Sequence, residues 1–176
     1  MFGFGKAKRE ATQIGEAAAR MAIMPFWDIF ARAFDTRIWS DPYVLGLIQG
    51  SIAAQTLPIT GRKLSTTDKG FILLEAMRNL GASQAAIELS LDLAQAQDSE
   101  FARGYDNGLV TFLLMCGALT EEAYADPDIV AAKDAVPTFR EASAFLSGPA
   151  TRDPDQELAS AYIYLKVHQH KQAFYS

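Results

Sequence analysis

The chain has 176 residues and a formal net charge of −5, which argues against a protein that binds nucleic-acid phosphates. Alanine, leucine, glutamine and glutamate are abundant, whereas valine and threonine are sparse, so the composition favours helix over sheet. We therefore expect an all-α fold in a single domain over residues 1–176, a bundle of seven to nine helices.

The charge is unevenly distributed along the chain. Residues 1–80 carry ten Lys or Arg against seven Asp or Glu, and residues 81–176 carry six against fourteen. The net charges of the two parts are therefore +3 and −8. This asymmetry is compatible with a surface-seeking end or with self-association, and also with charges that simply lie on solvated faces.

The first residues combine aromatic and basic side chains. Phe2 and Phe4 precede a basic cluster at residues 6–9, which predicts either a flexible tail over residues 1–6 or peripheral membrane contact through residues 1–9. We favour the tail. Acidic and basic residues interrupt the segment that follows, so it lacks the apolar core of a secretory signal, and we expect a cytoplasmic protein.

After Pro25, aromatic residues recur at helical spacing on one face of a predicted short helix. The predicted core face of this segment can equally be a partly exposed surface that receives a protein partner or an apolar ligand. This candidate surface consists of Phe26, Trp27, Phe30, Phe34 and Trp39.

The sequence Ser40-Asp41-Pro42 predicts a helix start, and Pro58 is expected to end that helix. No charge occurs between Asp41 and Arg62, so a membrane span has to be considered. A helix of about 16 residues reaches only about 24 Å, however, which is less than the hydrocarbon thickness. We therefore predict a soluble core helix with a stripe of small residues for close packing: Gly46, Gly50, Ala53 and Ala54.

A capping box at Ser65 and Asp68 predicts the next helix, which Gly81 ends. Its expected apolar face is Phe71, Leu73, Leu74, Met77 and Leu80.

Residues 83–119 are predicted to form a central antiparallel hairpin of two helices. Residues 87–93 alternate like a strand, but their composition favours helix. The uncharged run up to Leu119 is expected to be covered on all sides, with Cys116 as a buried thiol. Gly104 and Gly108 suggest a close approach of another backbone.

Two further Asp-Pro-Asp sequences predict helix starts at Asp126 and Asp153, and Pro137 is expected to interrupt the first of these helices.

Searches for catalytic, metal-binding and cofactor-binding motifs give nothing that matches. His168 and His170 are two residues apart, so on a helix they point to different sides and cannot share a metal ion. We therefore assign no catalytic residue, metal site or cofactor.

The leading functional hypothesis is a non-enzymatic intracellular interaction or regulatory protein that binds a protein partner or a second copy of itself. The first alternative is a protein that holds a small apolar ligand or lipid between its helices. The second alternative is an enzyme whose site is assembled only in the fold.

Overall fold

The computed structural model describes residues 12–20, 35–60, 65–147 and 153–175. Every regular element in these ranges is helical, and no strand occurs among them. The predicted all-α class is therefore confirmed.

Seven α-helical stretches lie within the described ranges. Residues 12–20 form α1. The others are Pro42–Thr60 (α2), Thr66–Asn79 (α3), Gln84–Gln95 (α4), Ser99–Met115 (α5), Pro127–Ser147 (α6) and Pro154–Tyr175 (α7). Short 3-10 helices at Asp35–Trp39 and Ala123–Ala125 precede α2 and α6.

The predicted helix starts are confirmed by their capping hydrogen bonds. The Asp41 Oδ1 atom accepts from the Val44 amide at 3.0 Å, and Ser65 Oγ accepts from the Asp68 amide at 3.1 Å. The carboxylates of Asp126 and Asp153 each accept from the amide two residues later, at 2.8 Å and 2.9 Å. These bonds satisfy amides that have no partner inside the helix.

Two prolines do not end helices as expected. Helix α2 continues to Thr60, so Pro58 lies in its last turn. Helix α6 runs through the exposed Pro137. Proline removes one amide donor and crowds the preceding turn, and the packing of α6 against α7 offsets that local cost.

The chain divides into two compact units, Met1–Leu109 and Val110–Ser176. The boundary falls inside α5. The expectation of a single domain thus stays a prediction, and each unit is described by itself.

Helix α2 is the enclosed helix of the first unit. Every residue from Tyr43 to Ile52 is buried, so this part of the helix has no solvated face. The two helices predicted for the hairpin are present as α4 and α5, joined by residues 96–98, and the second of them carries exposed as well as buried residues. Helix α5 ends at Met115, and Cys116, Gly117 and Ala118 are exposed.

Helices α2 and α5 approach each other closely through glycines on both sides. A Cβ atom added at Gly46 or Gly50 would overlap a backbone carbonyl of α5, and one added at Gly104 or Gly108 would overlap a carbonyl of α2. Ser51 Oγ donates to the Gly108 carbonyl at 3.2 Å. The predicted close approach at the two glycine pairs is therefore confirmed.

In the second unit, α6 and α7 pack along each other. Helix α7 is buried through most of its first half, where Ala159, Ala161 and Ile163 are fully enclosed. Lys166 Nζ on α7 forms an ion pair with the Asp128 carboxylate in the first turn of α6.

Candidate interaction surface

One face of α3 is left open to solvent. Ile72, Ala76 and Met77 are buried. Another stripe of residues along the helix lies within a sector of about 100° of its circumference, counting 100° of rotation per residue. This stripe, called the α3 face below, consists of Thr67, Gly70, Phe71, Leu74 and Arg78. All of them are exposed except Leu74, which is half-buried.

Phe71 is the large apolar side chain of this face, and 49% of its surface is exposed. The spacing of apolar residues in the sequence predicts it on the buried side, together with Met77 and Leu80. Those two residues are buried as predicted, but Phe71 is not. Ile72, Ala76 and Leu80 are spaced four residues apart, and this spacing identifies the buried side. It is hard to recognise in the sequence because apolar residues occur on most sides of α3.

Gly70 stands next to Phe71 and faces open space, with no atom within 4 Å of a Cβ built there. The other helical glycines among the described residues each meet a neighbour that leaves no room for a Cβ. Glycine inside a helix costs about 1 kcal/mol relative to alanine. At Gly70, no contact with the described residues accounts for that cost.

The buried side of α3 packs against α1. A Cβ at Gly15 would lie 2.8 Å from the Glu75 Cβ and 2.9 Å from the Ala76 amide nitrogen. Thr12 Oγ1 donates to the Glu75 carboxylate at 3.4 Å, and Arg78 Nη1 donates to the same carboxylate at 2.9 Å. Glu75 thus links α1 to the edge of the α3 face and holds Arg78 there.

The predicted aromatic surface lies mostly outside the described residues, which do not include Phe26, Trp27, Phe30 or Phe34. Trp39 is described: it ends the 3-10 helix Asp35–Trp39 and is half-buried. The assignment of this surface therefore stays a prediction.

A polar cluster lies where α2 and α5 cross. The Tyr43 ring is fully buried, and Asn107 Nδ2 donates to its hydroxyl at 2.9 Å. The Arg103 guanidinium lies 4.5 Å from the ring centroid and pairs with the Glu100 carboxylate. Burial raises the pKa of Tyr43 to about 12, although the Asn107 hydrogen bond and the Arg103 charge act in the opposite direction. A buried, neutral phenol of this kind stabilises the helix crossing and is not accessible to a substrate.

Cys116 is exposed, so its assignment as a core thiol is wrong. The reason is that α5 ends one residue earlier, and the chain turns at Gly117, which has a φ of 59°. The pKa of the Cys116 thiol is raised, mainly because the sulfur is partly desolvated and to a smaller extent because the negative charge of Asp155 lies nearby. A thiol with a raised pKa is a poor nucleophile at neutral pH.

The two histidines lie in different surroundings, as their spacing predicts. His170 is buried with its ring 4.8 Å from that of Phe174, and His168 is half-buried with its ring 4.2 Å from that of Tyr164. The pKa of His168 is lowered, mainly because the ring is partly buried and to a smaller extent because of the neighbouring positive charge of Lys171. Within the part of the chain that the structure describes, no three potential ligands among His, Cys, Asp and Glu are grouped to hold a metal ion.

Among the described helices, none combines the length and the apolar character that crossing a membrane requires. Comparison with known proteins gives no matching family model, no matching curated protein and no matching solved structure.

Proposed function

We propose that this chain is a non-enzymatic helical interaction protein that acts in the cytoplasm and binds a protein partner, or a second copy of itself, through the α3 face. The observation that carries the proposal is the pairing of Gly70 and Phe71. An open helical glycine and a half-exposed aromatic ring stand side by side on the surface.

A binding role accounts for both residues. Glycine in this chain otherwise occurs in helices where a second backbone comes within van der Waals distance, as at Gly50 and Gly104. A partner helix that packs over Gly70 could come as close to its backbone as α2 and α5 come to each other. The Phe71 ring beside it would supply apolar contact area. Aromatic side chains contribute strongly to binding when they are desolvated at the centre of an interface.

The test compares two surface variants, each of which replaces an apolar side chain that is exposed to a similar fraction. Phe71→Ser removes the ring of the α3 face, and Leu91→Ser removes a side chain of α4 that is exposed to nearly the same extent, 48% against 49%. Each variant is cross-linked in the cells that produce the protein, and the cross-linked species are quantified beside those of the wild type.

We expect Phe71→Ser to lose at least one cross-linked species that the wild type and Leu91→Ser both retain. Thermal melting of all three purified proteins controls for folding, and the two variants should melt at similar temperatures because the two side chains are buried to nearly the same fraction. Identical cross-linked species in the two variants would contradict the proposal.

A further inference from the structure

We propose that residues 65–70, which begin helix α3, exchange between helix and open chain independently of the rest of the molecule, so that the α3 face is complete only while they are helical. These residues are called the α3 start below. The consequence for binding rests on the proposed function, whereas the exchange itself follows from burial and capping alone.

The α3 start buries almost no surface. All of its residues are exposed except Asp68, which is half-buried. The first buried residue of α3 is Ile72, seven positions after the N-cap residue Ser65. Short helical stretches are marginal in water, and in proteins they are stabilised mainly by packing of a buried face. The α3 start lacks that packing and depends on its own local interactions.

The other helices with a described N-cap reach the core much sooner. Ser83 caps α4 as Ser65 caps α3, by accepting from the amide three residues later, and Ala86 and Ile87 in that first turn are buried. In α2, α5, α6 and α7, the first buried residue follows the capping aspartate by two to four positions: Tyr43, Phe101, Ile129 and Glu157.

The local interactions of the α3 start nearly cancel. Ser65 Oγ accepts from the Asp68 amide at 3.1 Å and donates to the Asp68 carboxylate at 2.7 Å. Such a cap favours the helix about fivefold, and a glycine such as Gly70 disfavours it by about the same factor. Among the described residues, no hydrogen bond or ion pair of a side chain links the α3 start to another element. The helical and open states should therefore have similar populations.

Opening of the α3 start would change the α3 face without disturbing the buried part of the helix. Helix α3 would then begin at Phe71, and Ile72 would keep its packing against Ile14 of α1. Thr67 and Gly70 would no longer lie beside Phe71, because helical geometry is what places residues three and four apart on one side. A partner that needs the complete face therefore binds only the closed fraction of the chain.

The first measurement is amide hydrogen exchange of the full chain, resolved by NMR. The reporters are the amides of residues 69–71, the first of which donates to the Ser65 carbonyl at 3.0 Å. Their protection should be less than about tenfold, and low urea should not change it because local opening exposes little surface. The amides of residues 87–89 hold the same positions after the α4 cap. They should be protected at least about 100-fold.

The second measurement is the helical fraction of residues 66–69, taken from Cα chemical shifts. It should be about one half in the wild type, about one sixth in Ser65→Ala and about five sixths in Gly70→Ala, since each change shifts the equilibrium about fivefold. Ser83→Ala is the matched control, because it removes the same kind of cap from a helix whose first turn is buried. Residues 84–87 should stay helical in that variant.

Equal protection of residues 69–71 and 87–89 would overturn the inference. So would equal losses of helical fraction from α3 in Ser65→Ala and from α4 in Ser83→Ala. Circular dichroism and melting temperature check that each variant is folded.

The consequence for binding is tested with the cross-linking described above. Ser65 lies outside the α3 face, yet Ser65→Ala should reduce the species that Phe71→Ser removes by about threefold, because the closed fraction falls from about one half to about one sixth. Ser83→Ala should leave that species unchanged. An undiminished species in Ser65→Ala would overturn the coupling of binding to closure. If Phe71→Ser removes no species, the proposed function fails, and hydrogen exchange still decides whether the α3 start opens.

Discussion

Tyr43 illustrates how one residue connects two helices of the first unit. Its ring fills the crossing of α2 and α5, and the Asn107 amide donates to its hydroxyl at 2.9 Å. Removing the hydroxyl leaves a part-buried amide donor without this acceptor. Such a loss costs about 1 kcal/mol.

We expect Tyr43→Phe to destabilise the chain by about 1 kcal/mol at neutral pH and to change how stability depends on alkaline pH. Because burial raises the pKa of Tyr43 to about 12, the unfolded chain loses this proton at lower pH than the native chain does. The stabilisation is therefore complete below pH 10, the ordinary pKa of tyrosine, and is lost as the pH rises towards 12. The loss amounts to about 3 kcal/mol for a shift of about two pH units.

Urea unfolding at a series of pH values from neutral to strongly alkaline measures this effect. The free energy of unfolding of the wild type should fall by about 3 kcal/mol as the pH rises towards 12, and Tyr43→Phe should not show this fall. The exposed Tyr164→Phe serves as the matched control for removing one phenol hydroxyl. Equal alkaline losses in the wild type and in Tyr43→Phe would show that the phenol is not buried in solution.

At the scale of helices, glycine has two different roles in this chain. Gly46, Gly50, Gly104 and Gly108 permit the close crossing of α2 and α5, whereas Gly70 faces open space. The same substitution by alanine should therefore have opposite effects on stability at the two kinds of position.

We expect Gly50→Ala to destabilise the chain by about 1–3 kcal/mol, because a Cβ there would overlap the Tyr105 carbonyl and force the helices apart. Gly70→Ala should stabilise it by about 1 kcal/mol, since the added methyl meets no atom and alanine favours helix. Denaturant unfolding of both variants measures the difference. On the proposed function, Gly70→Ala should also weaken binding while it raises stability. Destabilisation by Gly70→Ala would mean that this position is covered within the folded chain.

At the scale of the whole molecule, the division into two compact units bears on the single-domain prediction. Helix α5 runs without a break through the division at Leu109 and Val110. Unfolding either unit would therefore require part of the same helix to unwind.

We accordingly expect one cooperative thermal transition, with equal calorimetric and van't Hoff enthalpies. Differential scanning calorimetry measures both enthalpies, and repetition at several protein concentrations separates unfolding from association. Val110→Pro is the matched perturbation, because a proline in the middle of α5 removes a backbone hydrogen bond at the division. It should lower the melting temperature of the single transition. Two separate transitions in the wild type would instead identify two domains.

The sequence by itself determined where most helices begin and where their backbones approach closely. A capping side chain such as Ser65 or Asp41 bonds to an amide only two or three residues away, so its effect depends on local sequence alone. The glycine pairs at 46 and 50 and at 104 and 108 likewise predicted a close contact, because the lack of a Cβ is useful where another backbone comes near.

Only the tertiary structure decided which surfaces those helices bury. Helix α2 is enclosed where α5 was expected to be, Phe71 is exposed where the helical pattern placed it inside, and Cys116 lies beyond the end of its helix. Each of these outcomes depends on the positions of neighbouring helices, and apolar residues around most of a helix do not specify which side those neighbours cover. The candidate interaction surface could not be predicted for the same reason: Gly70 is distinctive only because, among the residues that the structure describes, no atom lies within 4 Å of a Cβ built on it.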